Sequence, residues 1–309
     1  MERNGFPFSC QGYVQSLAFN SSGTRLAAAS ADQKIYMWSY ENGWRESGNW
    51  NAHHGAVYKV RWAPEEFGPL IASCSFDKTI RIWEEKKERA EDALWKNLAT
   101  LVESKEPVVD IRFAPKSYGL VLAACSLNGE VRVYDATDLL NLALWTCSHT
   151  FEASALGSNC LAWNPSSEGQ MVLIGNNDLA AARQKLSISR AETPELLQLW
   201  VFSPDSKRWT KAGLPQVHEA TVLEVEWAPR LGRKIHCIAS LSSDGKVAIW
   251  RLGLAGNVLG SVVVEMDVFE PGRLYSMAWD VLGNGLVAIA EPGNPVVWVR
   301  DGVKTWKKR

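Results

Sequence analysis

The side chains that carry most enzyme and metal chemistry are sparse in this chain, and their spacing builds no recognisable site. The five histidines are His53, His54, His149, His218 and His236. Three of them, His54, His149 and His236, have no histidine, cysteine or carboxylate partner at metal-site spacing. The sequence also lacks the G-x-S-x-G, H-E-x-x-H and phosphate-loop signatures. We therefore predict a non-enzymatic protein with no catalytic residue, no metal site, no cofactor and no small-molecule substrate.

The cysteines show no pattern of a site either. They are Cys10, Cys74, Cys125, Cys147, Cys160 and Cys237. No two of them form a C-x-x-C pair, so neither a zinc site nor a redox pair is predicted. Most lie among apolar residues, which is typical of buried free thiols in a reducing, intracellular compartment.

The composition narrows the class of partner. The chain has 309 residues, with 33 Lys and Arg against 34 Asp and Glu and a net charge of −1. Since there is no basic excess, nucleic acid is not an expected partner. No run approaches the roughly 20 apolar residues of a membrane span, so direct membrane insertion is not expected. The 46% hydrophobic content predicts a globular chain, and the 15 tryptophans suggest a fold that uses Trp repeatedly.

A repeated pattern of short strands accounts for these tryptophans. One strand of each repeat ends in an aromatic residue, at Phe19, Trp62, Phe113, Trp163, Trp227 and Trp279. A later strand closes with another, at Trp38, Trp83, Tyr134, Trp200, Trp250 and Trp298. Six units of about 40–50 residues with a closing Trp are the signature of four-stranded propeller blades. The sequence thus predicts one all-β domain, 1–309, with blades at about 12–51, 52–103, 104–152, 153–212, 213–268 and 269–309.

A short polar residue marks a turn in four of these repeats. Asp32, Asp77, Asn128 and Asp244 each lie six residues before the closing aromatic. Such a side chain can accept a hydrogen bond from its own backbone and hold a tight turn.

The pattern resembles that of WD-repeat proteins. In that family a His, a Ser of the second strand, the turn Asp and the closing Trp form a buried hydrogen-bonded set. The resemblance implies such a set at His53, Ser73 or Ser75, Asp77 and Trp83. The fifth repeat offers His218, Asp244 and Trp250 with a less certain serine. The other repeats lack the histidine.

Three segments depart from the repeat. Asp178 and Trp200 are 22 residues apart, so residues 179–194 should form a long exposed insert that is rich in basic residues. The sixth repeat replaces the Asp turn with EPGNP (291–295), a turn expected to rest on Pro and Gly. The charge run EEKKERAED (84–92) is expected to be a solvated loop.

The ends of the chain bear on how the ring closes. The sixth repeat holds its own four strands, at about 273–280, 286–290, 295–299 and 303–306, and the first repeat has a fourth strand near Trp44–Trp50. An open ring with unpaired strand edges, covered by a partner that donates strands, is one reading. The alternative is that Phe6–Cys10 pairs with the sixth blade and closes the ring.

Specific strings resemble those of one family. WAPEEFGPLIASCSFDKTIRIWEE (62–85) is similar to the second blade of two sister propellers: the Seh-type nucleoporin of the Y-shaped nuclear pore scaffold and the small outer-cage propeller of the COPII coat. The tract 100–145 resembles the third blade of the Seh-type protein. CLAWNPSS (160–167) and WAPRLGRKIHCIAS (227–240) are also Seh-like.

This resemblance implies a function. Seh-type proteins are non-enzymatic open propellers, and an α-solenoid nucleoporin completes the ring with an inserted blade. This partner places them with other Y-complex members at the nuclear envelope, where they support nucleocytoplasmic transport. The same propeller type serves SEA/GATOR assemblies that regulate TOR signalling, in the cytoplasm and at the vacuole or lysosome surface.

The seam of the open ring is the predicted partner-binding surface. Its residues are Phe6, Phe8, Tyr13, Val14, Phe19, Leu274, Met277 and Trp279. The alternatives are a COPII coat propeller, or a closed WD-repeat adaptor for a ubiquitin ligase or signalling complex.

Overall fold

The structure, a computed structural model, describes residues 10–89, 92–178, 195–229, 236–255, 258–269, 274–291, 293–301 and 305–309. In this part of the chain 24 strands form six antiparallel sheets of four, each sheet in chain order from its first strand to its fourth. The fold is an all-β, six-bladed β-propeller, as the repeat predicts. The chain divides into two compact units, residues 1–127 with 132–148 and residues 128–131 with 149–309. The prediction of one domain with those blade limits stays a prediction.

The first three blades belong mainly to the first unit. Their strands are β1 (Val14–Phe19), β2 (Arg25–Ser30), β3 (Lys34–Tyr40), β4 (Trp44–Asn51), β5 (Val57–Trp62), β6 (Leu70–Ser75), β7 (Ile80–Arg89), β8 (Asp92–Leu101), β9 (Val108–Phe113), β10 (Val121–Ser126), β11 (Glu130–Ala136) and β12 (Trp145–Glu152).

The other three blades lie in the second unit. Their strands are β13 (Ser158–Trp163), β14 (Met171–Asn176), β15 (Leu197–Ser203), β16 (Arg208–Ala212), β17 (Val222–Trp227), β18 (His236–Ser242), β19 (Lys246–Ala255), β20 (Val258–Phe269), β21 (Leu274–Trp279), β22 (Gly285–Ala290), β23 (Asn294–Asp301) and β24 (Thr305–Lys308). The strands predicted for the sixth repeat and the fourth strand predicted near Trp44–Trp50 are confirmed.

Every blade carries a β-bulge at the same place. In the first blade Val14 pairs with Ser30, but the next pair is Ser16 with Ala29, so one residue of the first strand has no partner. The same shift occurs in the pairs β5–β6, β9–β10, β13–β14, β17–β18 and β21–β22. A bulge changes the direction of the side chains around it. Because the bulge lies at the same place in every blade, equivalent residues of different blades can be identified by counting from it.

The polar turn between the second and third strands is confirmed. The Oδ1 atoms of Asp32, Asp77, Asn128 and Asp244 each accept a hydrogen bond from the backbone N–H two residues on. The residue after each polar one has a positive φ, between 71° and 83°. At Gly129 a Cβ atom would lie 1.7 Å from the Ser154 carbonyl oxygen, so this turn requires glycine.

The core lies between neighbouring blades. In the first unit Ala27, Ala29 and Ile35 of the first blade pack on Val57 and Val60 of the second. In the second unit Leu241 and Ile249 of the fifth blade pack on Leu274 and Met277 of the sixth. In these pairs within one unit, the first strand of one blade therefore covers the second strand of the blade before it.

The charge run 84–92 was expected to be a loop, and this prediction is wrong. Residues 84–89 continue strand β7, and β8 begins at Asp92. The strand continues because residues 84–89 pair with β8, and the buried Glu85 carboxylate also binds both terminal nitrogens of Arg25, at 2.7 and 2.8 Å. The Arg25 guanidinium also lies 5.2 Å from the ring centre of Trp62, a cation–π contact that holds the pair in place.

The other departures are described only in part. The insert 179–194, with Arg183, Lys185 and Arg190, lies outside the described residues. In the sixth repeat Gly293 has a φ of 106° and its N–H donates to the Ala290 carbonyl at 2.6 Å, which closes the turn there. The six cysteines all lie in the described residues and form no disulfide, and Cys10 and Cys147 are only partly buried.

Helix is limited to single turns in the described ranges. Two 3₁₀ turns of three residues, Glu65–Phe67 and Lys116–Tyr118, follow the first strands of the second and third blades. Among the described residues no helix has the length and apolarity that crossing a membrane demands.

Candidate functional site

A buried chain of hydrogen bonds runs through the second blade. The Trp83 indole N–H donates to Ser73 Oγ at 2.9 Å, and Ser73 Oγ lies 2.8 Å from His53 Nε2. His53 Nδ1 lies 3.0 Å from Asp77 Oδ2. A carboxylate only accepts, so Nδ1 carries the proton and Nε2 accepts from the serine hydroxyl. The set uses Ser73, whereas Ser75 instead caps the turn by accepting from the Asp77 N–H.

The electrostatics of this set favour a neutral histidine and a charged aspartate. Burial lowers the pKa of the His53 imidazole below its ordinary 6.5, and the Asp77 carboxylate only partly offsets this. Burial by itself would raise the pKa of the Asp77 carboxyl, but hydrogen bonds from His53, Thr79 and the His54 N–H hold it well below its usual range. A satisfied buried network of this kind fixes blade geometry.

The fifth blade repeats most of this arrangement. Trp250 Nε1 donates to Ser240 Oγ at 3.0 Å, and His218 Nε2 lies 2.6 Å from the same oxygen. The Asp244 carboxylate accepts from the backbone N–H groups of Lys246 and Glu219, at 2.9 and 3.2 Å. Ser240 is the serine that the sequence left uncertain.

The first blade lacks the full set. The Cys10 thiol takes the place of the histidine, but Ala28 occupies the position of Ser73, and the Cys10 sulfur lies 3.0 Å from the Oγ of Ser30, which is the equivalent of Ser75. The Tyr36 hydroxyl donates to Asp32 Oδ2 at 2.6 Å. Burial opposes ionisation of Asp32, but the bonds from Tyr36 and Ser30 outweigh it and lower the pKa of the carboxyl. Nothing in the sequence pattern pointed to Cys10 in this role.

The His and Ser members of the sets in the second and fifth blades are buried, so an interaction surface is better sought among the exposed residues. Among the described residues no cluster of three or more His, Cys, Asp or Glu side chains could hold a metal ion. The first strands of the blades are more informative, because two of their positions differ in exposure from blade to blade.

Counted from the bulge, these two positions are occupied by Val14 and Leu17 in the first blade. In the other five blades the equivalent residues are no more than 3% exposed. These residues are Val57 and Val60, Val108 and Ile111, Ser158 and Leu161, Val222 and Val225, and Leu274 and Met277. In the first blade Val14 is 37% exposed and Leu17 53%. The first blade thus presents the same apolar strand without the cover that its equivalents have.

In the sixth blade the exposed position is on the second strand, which in the other blades of its unit is covered by the next blade. Ile289, on its second strand, is 45% exposed. The equivalent residues of the other blades are all buried, at Ala29, Cys74, Cys125, Gly175 and Leu241. Where the covering residues are described within one unit, they are the Val14- and Leu17-type residues of the next blade. At Gly175 the fit is so close that a Cβ atom would lie 2.6 Å from a methyl carbon of Val222.

The predicted seam residues divide into three groups. Phe6 and Phe8 lie outside the described residues. Tyr13, Val14 and Phe19 are exposed on or beside β1, and the Phe19 ring lies 5.7 Å from that of Trp44.

The predicted residues of the sixth blade point inward. Leu274 and Met277 are buried in the cluster shared with the fifth blade, and the Trp279 indole N–H donates to the Glu226 carbonyl at 3.3 Å. The large apolar residues of this blade that are exposed and that the sequence reasoning missed are Tyr275, Val281, Leu282 and Ile289, and it also missed Leu17 in the first blade. Aligning the six repeats pairs Leu17 and Ile289 with residues that are buried in the other blades, so no sequence signal marked them as exposed.

The blade architecture and its buried Trp–Ser–His–Asp set define a WD40-repeat β-propeller. In agreement, residues 6–39 and 44–84 match the WD40 family, described as "WD domain, G-beta repeat". Nucleoporin SEH1 of Homo sapiens is 31% identical over 314 residues, which cover 95% of this chain and 83% of the relative. Nucleoporin SEH1-A of Xenopus laevis is 30% identical with the same coverage, and Nucleoporin SEH1 of Danio rerio is 29% identical over 95% of this chain and 82% of its own length. The chain belongs to the nucleoporin SEH1 family.

Proposed function

We propose that this protein is a structural scaffold of the nuclear pore, located at the nuclear envelope, that binds an α-solenoid nucleoporin by blade complementation. The partner's inserted blade covers Val14 and Leu17 on the first blade and Ile289 on the sixth. Through this partner the protein joins the other Y-complex members and supports nucleocytoplasmic transport.

One observation carries the proposal: apolar residues of the kind that are buried between neighbouring blades elsewhere are exposed on the first and sixth blades. Contiguous apolar surface exposed on a folded domain commonly marks a protein interface. Burying one leucine-sized side chain contributes about 1.5–3 kcal/mol. A partner strand beside β1 would also satisfy its unpaired backbone groups. Family membership supports a pore component as the context.

The wider part of the proposal follows the Seh-type resemblance. A second role in SEA/GATOR-type complexes would place a fraction of the protein molecules in the cytoplasm and at the vacuole or lysosome surface. Affinity purification of the endogenously tagged chain tests both contexts. Recovery of Y-complex nucleoporins supports the pore role and recovery of SEA-type subunits supports the second role, whereas recovery of COPII coat proteins or ligase subunits would overturn them.

The interface is tested with purified components. Leu17→Asp and Ile289→Asp place a charge on each exposed face, while Val102→Asp changes an equally exposed apolar residue away from both. We expect each of the first two variants to weaken binding to the α-solenoid nucleoporin at least about 30-fold, as for an interface hot spot. Val102→Asp should bind like the unaltered chain. Undiminished binding by the double variant Leu17→Asp with Ile289→Asp would contradict the proposal.

A further inference from the structure

The loop between β11 and β12 in the third blade exposes apolar side chains in an unusual way. Residues 137–144, here called the leucine loop, contain Leu139, Leu140 and Leu144, all more than half exposed. Leu140 is 98% exposed, so its side chain makes almost no contact with the rest of the chain. These leucines belong to neither exposed face described above, since they lie on a connection between outer strands.

The leucine loop is held rigidly. Asp138 Oδ1 accepts a hydrogen bond from the Leu140 N–H at 2.8 Å, and Asn141 Oδ1 accepts from the Ala143 N–H at 3.3 Å. Two further backbone bonds link Asn141 to Asp138 and Leu144 to Asn141, each at 3.1 Å. These successive turns leave the loop little freedom.

Both ends of the leucine loop are tied to the blade. The Thr137 N–H donates to the Leu144 carbonyl at 3.2 Å and so closes the base of the loop. The Trp145 indole N–H donates to the Leu142 carbonyl at 2.9 Å, and the Trp145 ring packs on the core between the second and third blades. A leucine presented on such a fixed support loses little conformational entropy when it is bound, which favours affinity.

The charges that flank the leucines in the sequence are of one sign. From Val133 to Ser148 the sequence holds two carboxylates, Asp135 and Asp138, and no Lys, Arg or His. A protein pocket lined with apolar side chains and rimmed by cations complements this surface. An anionic membrane does not, because its surface potential repels carboxylates beside the inserting residues.

We propose that the leucine loop is a second protein-docking site, which inserts Leu140 and its neighbours into an apolar pocket rimmed by Lys or Arg on a partner protein. The site is independent of the blade-complementation surface. It would allow one propeller to contact two different proteins, as a scaffold that cross-links an assembly must.

The first experiment uses the tagged chain in its native assembly. A photo-crosslinking amino acid replaces Leu140, with Val102 as an equally apolar exposed control and Leu17 as a probe of the proposed blade-complementation surface. We expect Leu140 to crosslink to one protein, at residues flanked by Lys or Arg, and Val102 to give no such product. Crosslinking to lipid, or none at Leu140, overturns the docking site. The result at Leu17 bears only on the proposed function, so the docking site and the proposed function can fail separately.

The second experiment tests the charge with the purified crosslinked partner. Asp138→Asn and Asn141→Asp both keep a side chain that can cap its turn, but the first removes a negative charge and the second adds one. Against a basic rim we expect binding to weaken about threefold for Asp138→Asn and to strengthen about threefold for Asn141→Asp, with both effects fading at high salt. Leu140→Asp should weaken binding at least about tenfold. Equal affinity of all variants overturns the proposal. Tighter binding by Asp138→Asn than by Asn141→Asp also overturns it, because an anionic vesicle would produce that order.

Discussion

The first and second blades share one design and differ in what surrounds it. Val14 and Leu17 of β1 occupy the same places relative to the bulge as Val57 and Val60 of β5. The second pair is fully buried against the first blade, whereas the first pair is exposed. Because both strands are equally apolar, the exposure of β1 is a property of its position in the chain. This difference in exposure among the described residues is the observation on which the proposed blade complementation rests.

The two blades also differ in their buried hydrogen-bonded sets. The second uses His53 between Ser73 and Asp77, while the first uses Cys10 beside Ser30 and Tyr36 on Asp32. A thiol is a weaker donor and acceptor than an imidazole. We therefore expect the second blade to depend more strongly on its set.

The largest effect should come from charging the two equivalent strand positions. Val60→Asp buries a carboxylate without a partner, which should lower the free energy of unfolding by about 3–5 kcal/mol or prevent folding. Leu17→Asp should change it by less than about 0.5 kcal/mol, since its side chain already contacts solvent. Urea unfolding followed by Trp fluorescence measures both. Equal losses in the two variants would mean that β1 is as well covered as β5.

A smaller difference should appear when Ser73 and Ser30, the serines that contact His53 and Cys10, are each replaced. Ser73→Ala leaves the Trp83 indole and His53 without their shared partner, so we expect a loss of about 2–4 kcal/mol. Ser30→Ala removes a contact with sulfur and should cost about 1 kcal/mol. The same unfolding measurement applies, with Ser22→Ala on the exposed turn as the control. A greater loss for Ser30→Ala would reverse our ranking of the two sets.

The pH dependence of stability should distinguish the blades further. Because burial lowers the pKa of His53 below 6.5, the unfolded chain binds a proton there that the folded chain binds more weakly. The free energy of unfolding should therefore be highest above pH 6.5 and fall below it, by at most about 1.4 kcal/mol per pH unit from this group. The variant His53→Gln should flatten the slope between pH 7 and 5. The neighbouring exposed His54→Gln should leave the slope as it is, and an unchanged slope in His53→Gln would place the titration elsewhere.

The smallest effect concerns the first blade. Tyr36→Phe removes the 2.6 Å hydrogen bond to Asp32, one of the contacts that lower the pKa of this carboxyl. We expect the pKa of Asp32 to move up toward its ordinary value and stability to fall by about 1 kcal/mol or less. Carbon-detected NMR titration of the Asp32 carboxyl provides the measurement. If the pKa stayed where it is in the unaltered chain, the remaining hydrogen bonds to Asp32 would be sufficient by themselves.

Local features of the repeat could be predicted because they depend on residues close together in the chain. The Asp turns at Asp32, Asp77 and Asp244 rest on a bond to a backbone group two residues away, and these are present. The strands of the sixth repeat follow from alternation of apolar and polar residues. The prediction of a loop at 84–92 was wrong because residues 84–89 extend β7 by pairing with β8, and Arg25, 60 residues away in the chain, binds Glu85 there.

The sequence by itself determined the number of blades, their order and the residues that close their turns, since these are encoded at short range and repeated six times. Only the tertiary structure decided which copies of an equivalent position are buried. Val14 and Val57 are the same amino acid in the same place of the repeat, yet one is exposed and the other covered. Burial depends on which blade lies alongside, and that neighbour is not a local property. For the same reason the exposure of Leu17, Ile289 and the leucine loop, on which the proposed docking surfaces rest, came from the structure and not from the repeat.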